Sequence, residues 1–328
     1  MAQSQSEVLS EHALEAVGTP GVQVAGRTPW QIFWSRFRKD RVAIAGALFV
    51  LALIIVALTA PILSRILVHH GPNEQFNEMT NEFSIPYGPN AQFWFGADQV
   101  GRDLFVRTLY GARTSLIVAL VATGLSVMVG VVLGVMAGYF RGITDTIVSR
   151  AIDIVMSMPV LLFAIGLAAA CSVTAQGCLG GLIQPGLTLV VFVIALFNWT
   201  YIARIVRGQV FSLREREFIE AARSLGAGNG RIMFKELLPN LAAPIIVYST
   251  LIIPSNVLFE AYLSFLGVGI PQTTPSWGRM LSDASSSQIF TVAWWMMLFP
   301  GIFLLLTTLA FNLLGDGLRD ALDPRAGR

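Results

Sequence analysis

Long apolar runs broken by short charged stretches set the plan of this chain. Six stretches are long and apolar enough to cross a bilayer, which takes about 20 helical residues: Val42–Leu63, Ser115–Gly138, Ile154–Ala170, Pro185–Ala203, Leu241–Phe259 and Thr291–Leu314. The third and fourth are short as bounded here and extend into neighbouring polar residues such as Asp153. Between the fourth and fifth runs lies the longest charge-rich segment, Glu215–Pro239. There Phe218, Ala221, Ala222 and Leu225 recur at i, i+3, i+4 and i+7, one face of a helix, while Arg216, Glu217, Glu220 and Arg223 fill the other sides. Gly226, Gly228 and Gly230 then end that helix in a turn. A narrow face built partly of alanine suits a groove in a partner, and equally a helix resting on its own protein or on lipid.

The remaining segments are read in relation to these runs. Residues 1–26 are polar and mixed, without a signal-peptide core, and read as a disordered tail. Trp30, Phe33, Trp34 and Phe37 share one face beside Arg36, Arg38, Lys39 and Arg41, which describes an interfacial helix or the start of the first span. With the N-terminus inside, the inner segments carry 17 basic residues and the outer ones 5, so both termini and Glu215–Pro239 are expected in the cytoplasm. The expected organisation is therefore a tail and interfacial helix over 1–41, a first span over 42–63 and an extracytoplasmic loop over 64–114. A core over 115–314 follows, interrupted by a cytoplasmic loop over 204–240, and a tail over 315–328 ends the chain. In the long outer loop Leu104, Phe105, Thr108 and Leu109 are placed on a surface helix. The third outer loop, with Trp277 among prolines and glycines, reads as a rigid turn at the interface.

Composition agrees with this class. Of 328 residues 54% are hydrophobic and 13% charged, against about 25% charged in soluble domains, and mean hydropathy is +0.65. A net charge of +2 argues against a nucleic-acid surface. Cys171 and Cys178, in the second outer loop, are close enough in sequence to form a disulfide, with two free thiols as the alternative.

The chemistry inside the spans is sparse. Gly130, Gly134 and Gly138 form a double small-xxx-small pattern that predicts a close helix contact, within this chain or with a partner. Asn198, Asn256 and Glu260 are the candidate pathway residues; Glu260 is either a functional carboxylate or one that water reaches at the outer interface. Pro159, Pro244, Pro254 and Pro300 are expected to bend their helices. Lys39 and Lys235 are the only lysines, and no phosphate-cradling G-x-x-x-x-G-K-[ST] loop occurs. Neither H-E-x-x-H nor G-x-S-x-G is present, no catalytic residue is expected, and His12, His69 and His70 make no metal site. Any uphill transport must draw its energy from elsewhere, and the alternatives are a self-sufficient carrier or channel and a membrane-embedded enzyme.

Four motifs carry a family resemblance. Glu220-Ala221-Ala222, followed by Gly226 and Leu238-Pro239, resembles the EAA loop of ABC importer permeases. Gly96–Asp103 with Leu109–Ser115, Leu263–Leu281 and Gly315–Arg325 are similar to the C-type permease of dipeptide, oligopeptide and nickel importers, the DppC/OppC group. The match runs from about Trp30 to Arg325; Leu237 stands where isoleucine is common, and the tail and the cysteine pair lie outside the pattern. The resemblance implies an all-α membrane protein of six transmembrane helices with the type I ABC importer permease fold, in a bacterial inner membrane. It further implies a second homologous permease, two ATPases that bind ATP and Mg, and an extracytoplasmic binding protein, with no cofactor held by this chain. Phe218, Glu220, Ala221, Ala222, Leu225 and Gly226 would then couple to the ATPase. The expected cargo is di- or oligopeptide, with nickel or another small solute as the alternative within the family.

Overall fold

The computed structural model describes residues 29–82, 85–173 and 177–322. The expected tail over 1–26 and the end of the Gly315–Arg325 motif lie outside them. The described residues are helical, apart from loops with isolated bridges. Helix α1 is Pro29–Phe37, α2 Arg41–Leu67, α3 Leu104–Phe140, α4 Gly142–Ser157 and α5 Val160–Ser172. Helix α6 is Leu187–Leu213 and α7 Glu217–Ser224. Helix α8 runs from Asn229 to Phe265 through a π-helical turn at Ile232–Leu237, α9 is Trp277–Ser285 and α10 is Trp295–Leu322.

Helices α2, α3, α6, α8 and α10 are each long and apolar enough to cross a membrane. The third apolar run carries the bend expected at Pro159, and with the bent pair taken as one span the candidate spans number up to six. The run breaks at Met158-Pro159, and α4 and α5 meet at 84°. A proline ring cannot continue the helical ladder and pushes the preceding residue out of the helical region. Met158 accordingly has φ −81° and ψ 130°. Helix α5 has only 13 residues, about 20 Å of rise, against the roughly 30 Å of a hydrocarbon core.

The expected surface helix at Leu104–Leu109 is instead the first turn and a half of α3. Asp103 caps it, accepting from the amides of Phe105 and Val106 at 2.8 and 3.3 Å, and Leu104, Thr108 and Leu109 are buried. With 37 residues, α3 is about 55 Å long and extends beyond any hydrocarbon core.

The most extensive contact in the molecule is between α3 and α6, which run parallel. The glycine stripe makes it. A Cβ on Gly130 would lie 2.7 Å from Ile202 Cβ, on Gly134 2.7 Å from the Ala203 carbonyl oxygen, and on Gly138 2.7 Å from Val210 Cβ. Helix α8 crosses α3 in the opposite direction, with Asn256 beside Thr123 and Glu260 beside Ser115. Helices α2 and α10 close the other side, where Gly46 lies against the α10 backbone and Gly317 against Ala43.

A leucine at position 134 has no room, because the nearest obstacle is backbone. Overpacking of this kind costs about 1–3 kcal/mol. Gly134→Leu is therefore expected to lower the thermal midpoint of the detergent-solubilised protein by several degrees. Gly124→Leu, at a site with nothing within 4 Å, is expected to leave it unchanged.

Candidate functional site

At one end of the bundle the chain leaves α6 and forms the short helix α7. Its first turn holds Glu217 and Glu220 and its last Arg223, the order favoured by the helix dipole. The end is closed by a left-handed glycine. Gly226 has φ 78°, its amide donates to the Arg223 carbonyl at 2.9 Å, and the Ala227 amide donates to the Ala222 carbonyl at 3.0 Å. Any side chain at 226 would strain that turn.

One residue anchors α7. Ile219 is fully buried, in a cluster with Tyr139 of α3, Val206 and Val210 of α6, and Ile232 and Leu237 of α8. Ala222 packs at its edge. Phe218, Glu220, Ala221 and Leu225 are exposed, with Leu225 88% accessible. Phe218, Ala221 and Leu225 of the periodic stripe thus face away from the bundle, Ala222 lies at its edge, and the anchor sits outside the stripe. Sequence spacing marks the stripe without marking Ile219, the one fully buried side chain of the helix.

The polar flanks of α7 are tied to the end of α3. Arg141 bonds Glu215 at 2.5 Å, Arg214 donates to the Tyr139 carbonyl at 2.8 Å, and the Tyr139 hydroxyl is 2.8 Å from Asn229 Oδ1. Helix α4 is held to α6 by Arg207–Asp145 and Arg204–Asp153 ion pairs. Movement of α7 therefore has a route into three long helices.

Of the candidate pathway residues, the structure brings two together. Asn198 of α6 donates to Asn256 Oδ1 of α8 at 2.5 Å, and Asn256 donates to Thr123 of α3 at 2.7 Å. Both asparagines line a cavity of about 540 Å³. Glu260 does not line it. That carboxylate is fully buried and bonded by the hydroxyls of Ser115 at 2.9 Å and Ser264 at 2.8 Å, so the reading of a water-accessible interfacial carboxylate is corrected. Cys171 and Cys178 are joined as a disulfide, with Cα atoms 4.9 Å apart.

At the opposite end of the bundle, motifs that look independent in sequence converge. Asp98 receives Arg102 Nε at 2.6 Å and has Arg107 Nε at 3.5 Å. Asp283 of α9 has Arg279 at 3.0 Å and Arg102 at 3.8 Å. Burial pushes the Asp283 carboxyl above the usual carboxylate range, while Arg279, Arg107 and Arg102 pull it back. Trp277, expected in an interfacial turn, is instead fully buried against Gly111 and donates to the Thr108 carbonyl at 3.1 Å. His70 is also drawn inward, with the rings of Phe76 and Phe93 tilted against it at 4.6 and 4.9 Å and Asp103 bonded at 2.8 Å.

The described residues form an all-helical bundle with long apolar helices and a short helix presented at one end. The fold is similar to that of the MetNI methionine ABC transporter in an inward-facing crystal form, with a TM-score of 0.50 and 19% identity over 66% of this chain and 96% of that one. Residues 130–328 match the family described as binding-protein-dependent transport system inner membrane component, and residues 28–98 match the N-terminal TM domain of oligopeptide transport permease C. The dipeptide transport system permease protein DppC of Alkalihalophilus pseudofirmus is 40% identical over 306 residues, 93% of each chain. The glutathione transport system permease protein GsiD of Pectobacterium atrosepticum is 38% identical, covering 91% of this chain and 92% of its own. The oligopeptide transport system permease protein OppC of Bacillus subtilis is 36% identical over 90% of both. The chain belongs to the family of inner-membrane components of binding-protein-dependent transport systems. It is a permease subunit of an ABC importer, a multi-pass inner-membrane protein.

Ile219→Ala removes the side chain that seats α7, and Ile-to-Ala changes in cores cost about 2–5 kcal/mol. The expected result is faster hydrogen exchange across 214–238. Leu225→Ala, on the exposed face, is expected to leave exchange there unchanged.

Proposed function

We propose that this chain imports di- or oligopeptides together with a second homologous permease, two ATPases and an extracytoplasmic binding protein. The permease names of its relatives support the peptide cargo. The observation that carries the coupling role is the exposed Phe218–Ala221–Leu225 face on a helix held from behind by Ile219. In this reading α7 and both termini are cytoplasmic, in keeping with the bias of basic residues. The binding protein then meets the opposite end, where the Asp98–Arg102–Arg107–Asp283 cluster stiffens the surface.

Work is transmitted as rigid-body motion. Each ATPase binds ATP and Mg, and closure of the pair draws the coupling helices together. Ile219 and the Arg141–Glu215 pair pass that displacement to α3, α6 and α8. The paired permeases then change the side on which their shared path is open, and hydrolysis resets them.

Phe218→Ala and Glu220→Arg each alter the docking face without touching the seat. A hot-spot contact at an interface is worth about 2 kcal/mol or more, and about 1.4 kcal/mol is already tenfold in affinity. Both variants are expected to show reduced ATPase co-purification and about a tenfold or larger drop in ATP-driven peptide uptake by proteoliposomes. Unchanged uptake in both removes the coupling role from α7.

A further inference from the structure

Two cavities lie along one face of α6 and α8. The first, about 540 Å³, is bounded by the α4–α5 break at Met156 and Met158, by α6 from Ile194 to Tyr201, and by α8 from Tyr248 to Phe259. Its size falls within the roughly 300–1,000 Å³ of ordinary small-molecule sites. The second, about 560 Å³, lies toward the π-helical turn and the end of α10, and is lined by Gln209, Asn240 and Arg319 among others. Tyr248 and Leu251 border both. The Tyr248 ring meets Tyr201 edge-on at 6.4 Å.

The lining of the first cavity has a particular chemistry. Every residue that borders it is uncharged. Its polar groups are amides and hydroxyls: Asn198, Asn256, Ser255, Thr200 and the two tyrosines, set among Phe197, Phe259 and the methionines. Asn256 is 1% accessible and fixed by Thr123, and it in turn orients Asn198. A side-chain amide carries two donors and an acceptor, so Asn198 has capacity beyond that one bond. A hydrated divalent cation would meet no carboxylate or imidazole there. A peptide bond, neutral and needing one donor and one acceptor, is matched, and uncharged side chains are matched by the aromatic walls.

We propose that this cavity is a transit subsite for the backbone amides and uncharged side chains of a peptide, and that Tyr248 divides it from the second cavity. The proposal rests on the peptide-import reading above. It assigns Asn198 and Ser255 to amide recognition and Tyr248 to the constriction.

The test uses the assembled transporter in liposomes, with this permease carrying Met158→Cys, at a lining position given no part in amide recognition. The native cysteines are bonded to each other, which leaves the new thiol as the target for N-ethylmaleimide. Labelling is expected in the assembled complex, slowed about tenfold by a neutral-side-chain peptide at about ten times its Kd, delivered with binding protein and ATP. Tyr201→Cys repeats the measurement if the first variant does not assemble. A thiol that labels in the isolated chain but is blocked in the complex without peptide places the partner permease in the cavity and overturns the subsite. Labelling that peptide does not slow, with uptake by the unmodified transporter intact, also overturns the subsite but leaves the import reading standing. Absence of peptide uptake by the unmodified transporter overturns the import reading, and the subsite with it. For the constriction, Tyr248→Ala is expected to raise ATP-independent leak of preloaded peptide several-fold while Tyr248→Phe retains the unmodified rate. Equal leak in all three removes Tyr248 as the divider.

Discussion

The approach of α3 to α6 is the contact on which the rest depends. Inside a membrane, apolar side chains gain little by leaving lipid for protein, so helices associate through van der Waals contact at close range. Gly130, Gly134 and Gly138 bring the α3 backbone onto the carbonyls of Trp199, Ala203 and Arg207. That spacing also decides what else can be built. With α3 and α6 locked in parallel, α8 crosses both, Thr123 meets Asn256, and Tyr139 is set beside the seat of Ile219. The polar contacts of the site are therefore consequences of a contact made without polar groups.

Much of this plan is written in residue spacing. Long apolar runs fix the spans because a helix crossing lipid must satisfy its own backbone and leave its side chains apolar. A break within a run is harder to place. Pro159 stops one helix and starts the next, whereas Pro254 and Pro300 remain inside theirs, and only neighbouring helices decide which outcome holds. Direction is also hidden. The Phe218–Leu225 periodicity defines a face but not whether it points inward, and Ile219, one residue off the stripe, carries the packing.

The polar network near Glu260 illustrates a different gap. From sequence, a carboxylate near a helix end reads as wet or functional. Its surroundings come from Ser115, 145 residues earlier, and Ser264, one turn later on the same helix. Hydrogen bonds from hydroxyls offset part of the cost of burying the group, and no local pattern announces that pairing. The same holds for Arg107, which looks like one more loop arginine until the carbonyls of Pro72 and Gln272 and the carboxylate of Asp98 are brought around it.

That arginine cluster has a consequence for how the molecule comes into being. Arg102 and Arg107 are synthesised with Asp98, but Asp283 and the Gln272 carbonyl belong to a segment made after α8. Until α9 arrives, the head of α3 holds two guanidinium groups against one carboxylate, and Gly111 has an open notch where Trp277 will sit. Buried cations short of partners are costly. That face is completed only once the segment after α8 has been made, and a chain halted before α9 would leave the ribosome with it visibly unfinished.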